Sequence, residues 1–294
     1  MDGPEVREYV IADVFTDVPL QGNPVAVFTD GTGLSGALMQ RLARELNLSE
    51  TVFLLPPSDG GADARVRAGG ADARVRIFTP GTELPFAGHP VLGTAFVVGG
   101  RLGRDTVRLE TGAGIVPIRL TRRRDEVAFG EMEQPIPTWE PFREPDALLA
   151  ALGVASAELP VEAYRNGPVH VFVGLTNEEH VAALRPDLNA LAALGELGVG
   201  CFAGAGGSYK SRNFAPGLGV PEDPATGSAA GPLAVHLARH GQTAFGQQIE
   251  IRQGEEIGRP SILRACAEGS AERITRVRVG GSAVIVAGGE YRVQ

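Results

Sequence analysis

Short apolar runs bounded by turn residues recur along this chain, and helical spacing appears in only a few stretches. Residues 9–15 read as a strand that ends at Thr16-Asp17-Val18-Pro19. Gly22-Asn23-Pro24 then turns the chain into Val25-Ala26-Val27-Phe28, a second strand. Ser35 is placed as an N-cap, and Leu38, Met39, Leu42, Ala43 and Leu46 form one apolar helical face. Asn47 ends that helix, and Leu48-Ser49-Glu50 leads into an apolar strand over 51–55. Strands are expected at 107–110, 115–120, 127–129 and 169–175, and again at 249–251, 262–265, 277–279 and 283–287. Asp146 caps a short helix running to Leu152, and 187–194 forms another. Many short strands with few helices point to an α+β protein.

One stretch organises the pattern. Asp223-Pro224-Ala225-Thr226-Gly227-Ser228-Ala229-Ala230-Gly231 is a turn of small residues that opens into a helix over 232–238, with Gly241 as its stop signal. A helix N-terminus leaves backbone N–H groups unpaired and carries partial positive charge. Small residues let a ligand approach that backbone closely, so the stretch suits a carboxylate or phosphate, with Asp223 and Ser228 at its lip. A tight strand-to-helix turn without a ligand is the plainer alternative. The pattern also occurs earlier. Arg212, Phe214, Pro216, Gly217 and Pro221 fall on Arg76, Phe78, Pro80, Gly81 and Pro85 at one constant offset. The earlier copy continues through Phe86-Ala87-Gly88-His89-Pro90 into an apolar helix over 91–96. Similarity at this long spacing suggests a duplicated domain. Two such halves would point two helix N-termini at one cleft, the kind of place ligands prefer.

Composition narrows the class. At 294 residues the chain suits two domains, 1–132 and 133–294, with the last strand available to pack back on the first. Hydrophobic content of 43% and charged content of 21% are ordinary for a soluble protein. The formal net charge of −8 argues against a nucleic-acid partner. Residues 1–10 are polar and acidic, without an apolar signal core, and no apolar run is long enough for a membrane span. The expectation is a cytoplasmic protein that binds a small carboxylic acid. Cys201 and Cys266 are too few for a disulfide framework or a thiolate metal cage and read as small buried residues.

Some segments carry no chemistry. Gly60-Gly61-Ala62-Asp63-Ala64-Arg65-Val66-Arg67 repeats verbatim as Gly69-Gly70-Ala71-Asp72-Ala73-Arg74-Val75-Arg76. Only the second copy leads into Phe78, so it belongs in the core sheet, and the first is expected as an extended loop or edge strand. Arg122-Arg123-Arg124-Asp125 reads as a solvated hairpin tip. Residues 200–207 are glycine-rich. Gln134-Pro135-Ile136-Pro137-Thr138-Trp139 is the candidate linker.

Among ionisable groups, Glu50 lies between Leu48 and Val52-Phe53, where partial desolvation would make it a better proton carrier near neutral pH. An exposed loop glutamate is the alternative. His89 sits at the lip of the first helix turn and suits an acid, a base or a hydrogen-bond donor. His170, His180, His236 and His240 read as structural or surface residues without metal-ligand spacing. Ser228 lacks a nucleophile elbow, and neither a Walker-type lysine loop nor a dinucleotide fingerprint is present.

These residues resemble the PhzF family, phenazine-biosynthesis isomerases within the diaminopimelate-epimerase fold. The matching motifs are Gly22-Asn23-Pro24-Val25-Ala26-Val27-Phe28, Asn47-Leu48-Ser49-Glu50, Phe78-Thr79-Pro80, Glu83-Leu84-Pro85-Phe86-Ala87-Gly88-His89-Pro90 and Asp223-Pro224-Ala225-Thr226-Gly227-Ser228-Ala229. Segments beyond these, 133–139, 166–175 and 201–206, also look like the phenazine-pathway members. The tandem duplication departs from the family pattern but falls between motifs. The resemblance implies two pseudo-symmetric domains, each a barrel-like, mostly antiparallel sheet around a central helix. It implies a homodimer without cofactor or metal that isomerises trans-2,3-dihydro-3-hydroxyanthranilate to an aminoketone. Carried over by motif, Glu50 is the acid/base, and His89, Asp223 and Ser228 hold the substrate with backbone at Gly88 and Gly227; Asn23 lies in a matching motif beside them. Thiol-based racemases of this fold need two cysteines, and neither turn carries one. One carboxylate suffices to move a proton between two carbons on the same ring face. A related isomerase or epimerase of another small acid and a non-catalytic binding protein are the competing readings.

Overall fold

The computed structural model describes residues 5–58 and 70–293. The chain divides into two compact units, Met1–Met132 with Ser282–Gln294, and Glu133–Gly281. The first copy of the tandem repeat lies outside the described residues; the second supplies β4 below.

In chain order, the first unit holds β1 (Glu5–Val14), β2 (Asn23–Phe28), α1 (Gly36–Leu46), β3 (Glu50–Leu55), β4 (Ala73–Phe78), β5 (Glu83–Leu84), α2 (Gly88–Leu102), β6 (Thr106–Thr111), β7 (Gly114–Arg123) and most of β8 (Glu126–Gln134), whose last two residues begin the second unit. There follow β9 (Thr138–Pro141), α3 (Pro145–Leu152), β10 (Glu162–Arg165), β11 (Val169–Gly174), α4 (Glu178–Ala183), α5 (Leu188–Ala193) and β12 (Gly198–Ala205). The second unit continues with β13 (Ser208–Ala215), β14 (Val220–Asp223), α6 (Gly227–Arg239), β15 (Gln248–Gln253), β16 (Ser261–Gly269) and β17 (Ile274–Gly281). The closing strand β18 (Ala283–Val293) returns to the first unit and pairs antiparallel with β1.

The pairing rules of the two units match step for step. In the first, β1–β2 is antiparallel, β2–β3 parallel, β3–β4 and β4–β5 antiparallel, β4–β6 parallel and β6–β7 antiparallel. In the second, β10–β11 is antiparallel, β11–β12 parallel, β12–β13 and β13–β14 antiparallel, β13–β15 parallel and β15–β16 antiparallel. Each parallel step needs a crossover, and helices supply it: α1 and α2 in the first unit, α4, α5 and α6 in the second. The fold is α+β, with a mostly antiparallel sheet in each unit.

Each sheet packs on one helix. Residues 88–99 of α2 and 227–238 of α6 are all buried. A helix apolar on every face belongs inside. Helix α2 packs against β1, β2, β3, β6, β7 and β18, with Gly93 so close to β1 and β2 that a Cβ there would come within 2.7 Å of Val14 Cγ2 and Val25 Cγ1. Helix α1 buries only Met39, Leu42 and Ala43. Its ends are as expected: Ser35 accepts from the Leu38 N–H, and Asn47 adopts a left-handed conformation at φ 50°.

The shared Arg-x-Phe pattern has one structural meaning in both halves. Arg76 makes two hydrogen bonds to Glu83, 2.7 and 2.6 Å, with its guanidinium 5.1 Å from the Phe78 ring centre. Arg212 makes two to Glu222, both 2.8 Å, and lies 5.0 Å from the Phe214 ring centre. The arginine of one strand thus ties down the short strand that leads to the central helix.

Three local expectations need correction, and one segment that had no assigned element gains one. The expected linker is largely strand: Gln134 ends β8, and Thr138 and Trp139 open β9. Pro135 and Pro137 interrupt pairing only between them. Asp146 is not the cap of α3; Glu144 holds that position without a side-chain bond, and Asp146 stands in the first turn, where its charge suits the helix dipole. The glycine-rich stretch around Cys201 is the regular strand β12, because Gly198 and Gly200 make room for His170 and Phe172 on β11. Both central helices begin earlier than apolar spacing indicates, at Gly88 and Gly227.

Candidate active site

In the first unit three chemistries meet in one row: an amide, an imidazole and a carboxylate. Asn23 opens β2 and is fully buried. Glu50 opens β3, where the left-handed turn at Asn47 ends α1, and it pairs with Val25, two residues from Asn23. His89 is the second residue of α2 and is buried. Asn23 Nδ2 lies 3.2 Å from His89 Nδ1, and His89 Nε2 lies 3.3 Å from Glu50 Oε2. Burial holds the His89 pKa down to about 3 against the opposing pull of a backbone hydrogen bond to Pro24, so the ring is neutral. The Glu50 side chain is 14% exposed, mostly withdrawn from water yet still reachable. The His89–Glu50 contact falls short of hydrogen-bond alignment, as catalytic pairs without substrate often do.

In the second unit, Asp223 ends β14 and Ser228 is the second residue of α6; both are buried. Thr226 Oγ1 donates to Asp223 Oδ2 at 2.7 Å, and so it does not cap the helix it precedes. Gln253 Nε2 donates to the Asp223 carbonyl at 2.7 Å and reaches Thr226 Oγ1 at 3.0 Å. Glu222 turns away to Arg212, so the two adjacent carboxylates do not share a pocket.

The N-termini of α2 and α6 have a feature in common. Neither carries a side-chain cap, a lack α3 shares, while Ser35, Asn177 and Asp187 cap α1, α4 and α5. Gly88 and Gly227 stand at these open ends, where backbone N–H groups suit an anion.

Sequence reasoning missed two amides. Gln134 Nε2 donates to the Gly227 carbonyl at 2.7 Å, and Asn166 Nδ2 to the Ser228 carbonyl at 2.9 Å. The signal was Pro232 inside a helix, which deprives the carbonyl four residues before it of a donor.

It also missed that His236 and His240, one helical turn apart on α6, meet Glu162 of β10. Their ligand atoms and a carboxylate oxygen lie within 4.8 Å of one another, close enough to suggest a metal. The charge is already supplied by Arg239, whose Nη1 lies 2.7 Å from Glu162 Oε2, with Tyr164 Oη at 2.8 Å and His240 Nε2 at 3.0 Å on the same oxygen. Burial alone would raise the Glu162 pKa; the bonds from His236, His240, Arg239 and Tyr164 outweigh it and hold the carboxyl well below its usual range. A guanidinium on the central oxygen disfavours a cation there, and the cluster reads as a structural ion pair. His170 is also neutral, with burial lowering its pKa to about 4. Both cysteines are buried, and burial pushes the Cys201 thiol up to about 12, far from a reactive thiolate.

Two similar units, each an antiparallel-rich sheet around a buried central helix with an uncapped N-terminus, define the class: an epimerase-type α+β fold. The chain belongs to the PhzC-PhzF family, phenazine biosynthesis-like proteins, whose family model matches residues 12–289. It is 55% identical to the trans-2,3-dihydro-3-hydroxyanthranilate isomerase of Pseudomonas aeruginosa, over 97% of this chain and 99% of that one. The enzyme of the same name from Pseudomonas fluorescens is 52% identical, over 95% of this chain and 97% of that one. The crystal structure of a PhzF-family phenazine biosynthesis protein from Bacillus anthracis has the same fold, with a TM-score of 0.81 at 24% identity, covering 98% of this chain and 99% of that one.

Proposed function

We propose that this protein is an isomerase that converts trans-2,3-dihydro-3-hydroxyanthranilate to an aminoketone, with Glu50 as the proton carrier. The observation that carries the assignment is the placement of Glu50: a carboxylate largely out of water, 3.3 Å from a neutral imidazole, with an amide behind that ring. The identity to isomerases of that name, across nearly the whole chain, supplies the substrate.

The reaction balances within one molecule. The carboxylate of Glu50 takes a proton from the hydroxyl-bearing ring carbon, and the electron pair left behind shifts along the diene. The protonated carboxyl returns the proton to a carbon further along the same face, and the resulting enol becomes the ketone. A positioned acid–base group contributes about 100- to 10,000-fold. His89, as a neutral donor, steadies the carboxylate or a substrate oxygen without placing a full positive charge beside it. Asp223, as a hydrogen-bond acceptor, suits the substrate's amine. The resemblance assigns its carboxylate to the Ser228 hydroxyl and to backbone at Gly88 and Gly227, and N–H donors of this kind suit charge that develops during transfer. Asn23, 3.2 Å from Nδ1, holds the His89 ring in place. The proton carrier is a side chain, so the mechanism calls on no cofactor. The resemblance adds a cytoplasmic homodimer.

The test is incubation of the purified protein with trans-2,3-dihydro-3-hydroxyanthranilate while its diene absorbance is followed. Loss of that absorbance at catalytic enzyme concentration is expected. An inert substrate, with turnover of a different small cyclic or amino acid, would overturn the substrate assignment.

A further inference from the structure

We propose that Gln134 and Asn166 are positioning residues that aim the first turn of α6 at the substrate's carboxylate. The inference rests on the assignment of Gly227 and Ser228 to substrate binding made above. Its starting point is a defect in the helix. Pro232 has no N–H, so the Ser228 carbonyl loses the partner an α-helix would give it. Buried carbonyls are rarely left without a donor. Asn166 Nδ2 fills the gap at 2.9 Å, and Gln134 Nε2 adds a bond to the Gly227 carbonyl at 2.7 Å. Both acceptors are carbonyl oxygens, so the groups facing them are the amide N–H ends. The two amides also touch each other, Asn166 Nδ2 to Gln134 Oε1 at 3.5 Å.

The neighbouring residues are built around this pair. A Cβ on Gly231 would collide with Gln134 Oε1 and come within 2.6 Å of Val277 Cγ1, so the helix needs glycine where the glutamine lies against it. Gln134, Asn166 and Ser228 are all buried. The helix does not require this arrangement to stay inside the sheet; an alanine at 232 would give the Ser228 carbonyl an ordinary partner.

Peptide planarity links the clamp to the ligand. The Gly227 carbonyl and the Ser228 N–H belong to one rigid plane and point in opposite directions. Holding the carbonyl therefore sets the direction of the N–H. Gln134 aims the Ser228 N–H, and Asn166 fixes the following plane, whose Ala229 N–H is already bonded to the Thr226 carbonyl at 3.0 Å. Neither amide reaches the reacting carbons; each acts through the backbone, on binding rather than on proton transfer.

The test uses the full-length protein, 3-hydroxyanthranilate as a non-reacting acid for calorimetry, and the dihydro acid for kinetics. Gln134→Met keeps the shape and removes the donor; Asn166→Ala removes the other. Each is expected to weaken acid binding and raise KM by about tenfold, the scale of one lost buried hydrogen bond, with kcat within about threefold of wild type. Adding Pro232→Ala to Asn166→Ala restores an N–H to the Ser228 carbonyl and should recover most of the loss. Should Asn166→Ala fold poorly, that double variant and Gln134→Met carry the experiment. Unchanged acid binding in both folded single variants, a fall in kcat at constant KM, or an Asn166→Ala Pro232→Ala protein that is folded but unrecovered would each overturn the proposal. A wild-type protein that neither binds the acid nor turns over the substrate would instead defeat the functional assignment beneath it.

Discussion

His89 illustrates how far one residue's role depends on its surroundings. Burial lowers its pKa to about 3, so at neutral pH the ring carries no charge. A charged imidazolium would stabilise the Glu50 carboxylate and weaken it as a base; a neutral ring orients it at smaller cost. His89→Phe keeps the ring shape and removes both nitrogens. We expect kcat to fall about 100-fold, within the range of a positioned acid–base partner, with the melting temperature nearly unchanged. Steady-state kinetics checks this, and an unaltered kcat would remove His89 from the machinery. Glu50 and His89 were legible as candidates because small-residue turns and an apolar strand frame them. Asn166 and Gln134 were not, because an amide that bonds a distant backbone carbonyl has no local pattern. Their partner sites lie 62 and 93 residues away.

Among elements, the two Arg–Glu pairs show how the same motif gains different weight in each half. The Arg212 and Glu222 side chains are 6% and 13% exposed, and Arg212 Nη1 also bonds the Leu184 carbonyl at 2.8 Å. The Arg76 and Glu83 side chains are 30% and 42% exposed. Breaking a buried pair strands a charge and costs about 3–5 kcal/mol, whereas an exposed pair contributes about 0–1 kcal/mol. Arg212→Ala should therefore destabilise the protein by about 3 kcal/mol or more and Arg76→Ala by about 1 or less, as read from urea denaturation. Equal effects would contradict the burial difference. The elements read best from sequence were those with a defined edge, such as α1 between Ser35 and Asn47. The starts of α2 and α6 were missed because Gly88 and Gly227 carry no apolar signal; tertiary packing, not propensity, makes them helical. Strand β12 was hidden by its glycines, which serve the bulk of His170 and Phe172 on the neighbouring strand.

At the scale of the molecule, the duplication was visible in a few coincident residues, and the strand pairings extend it to each whole unit. The return of β18 to the first unit was an option the sequence offered without deciding it, since a strand of such composition satisfies either sheet. The buried histidines make a prediction about the whole fold. His89 and His170 have folded pKa values of about 3 and 4 against an ordinary 6.5, so between those limits the unfolded chain binds more protons than the native one. Their contribution is fully present above about pH 6.5 and is lost as pH falls towards 4 and 3. Glu162, held below its usual range, adds a further loss below about pH 4.5. Urea midpoints measured from pH 8 down to pH 4 should be level at first and then fall; a level profile from pH 6.5 to pH 5 would show that the rings are charged in the native state. The functional account itself turns on one carboxylate. Glu50→Gln keeps size and hydrogen bonding but cannot carry a proton, so turnover of trans-2,3-dihydro-3-hydroxyanthranilate should fall by about 1,000-fold or more while affinity for 3-hydroxyanthranilate changes by less than about threefold. Turnover at the wild-type rate in that variant would contradict the account.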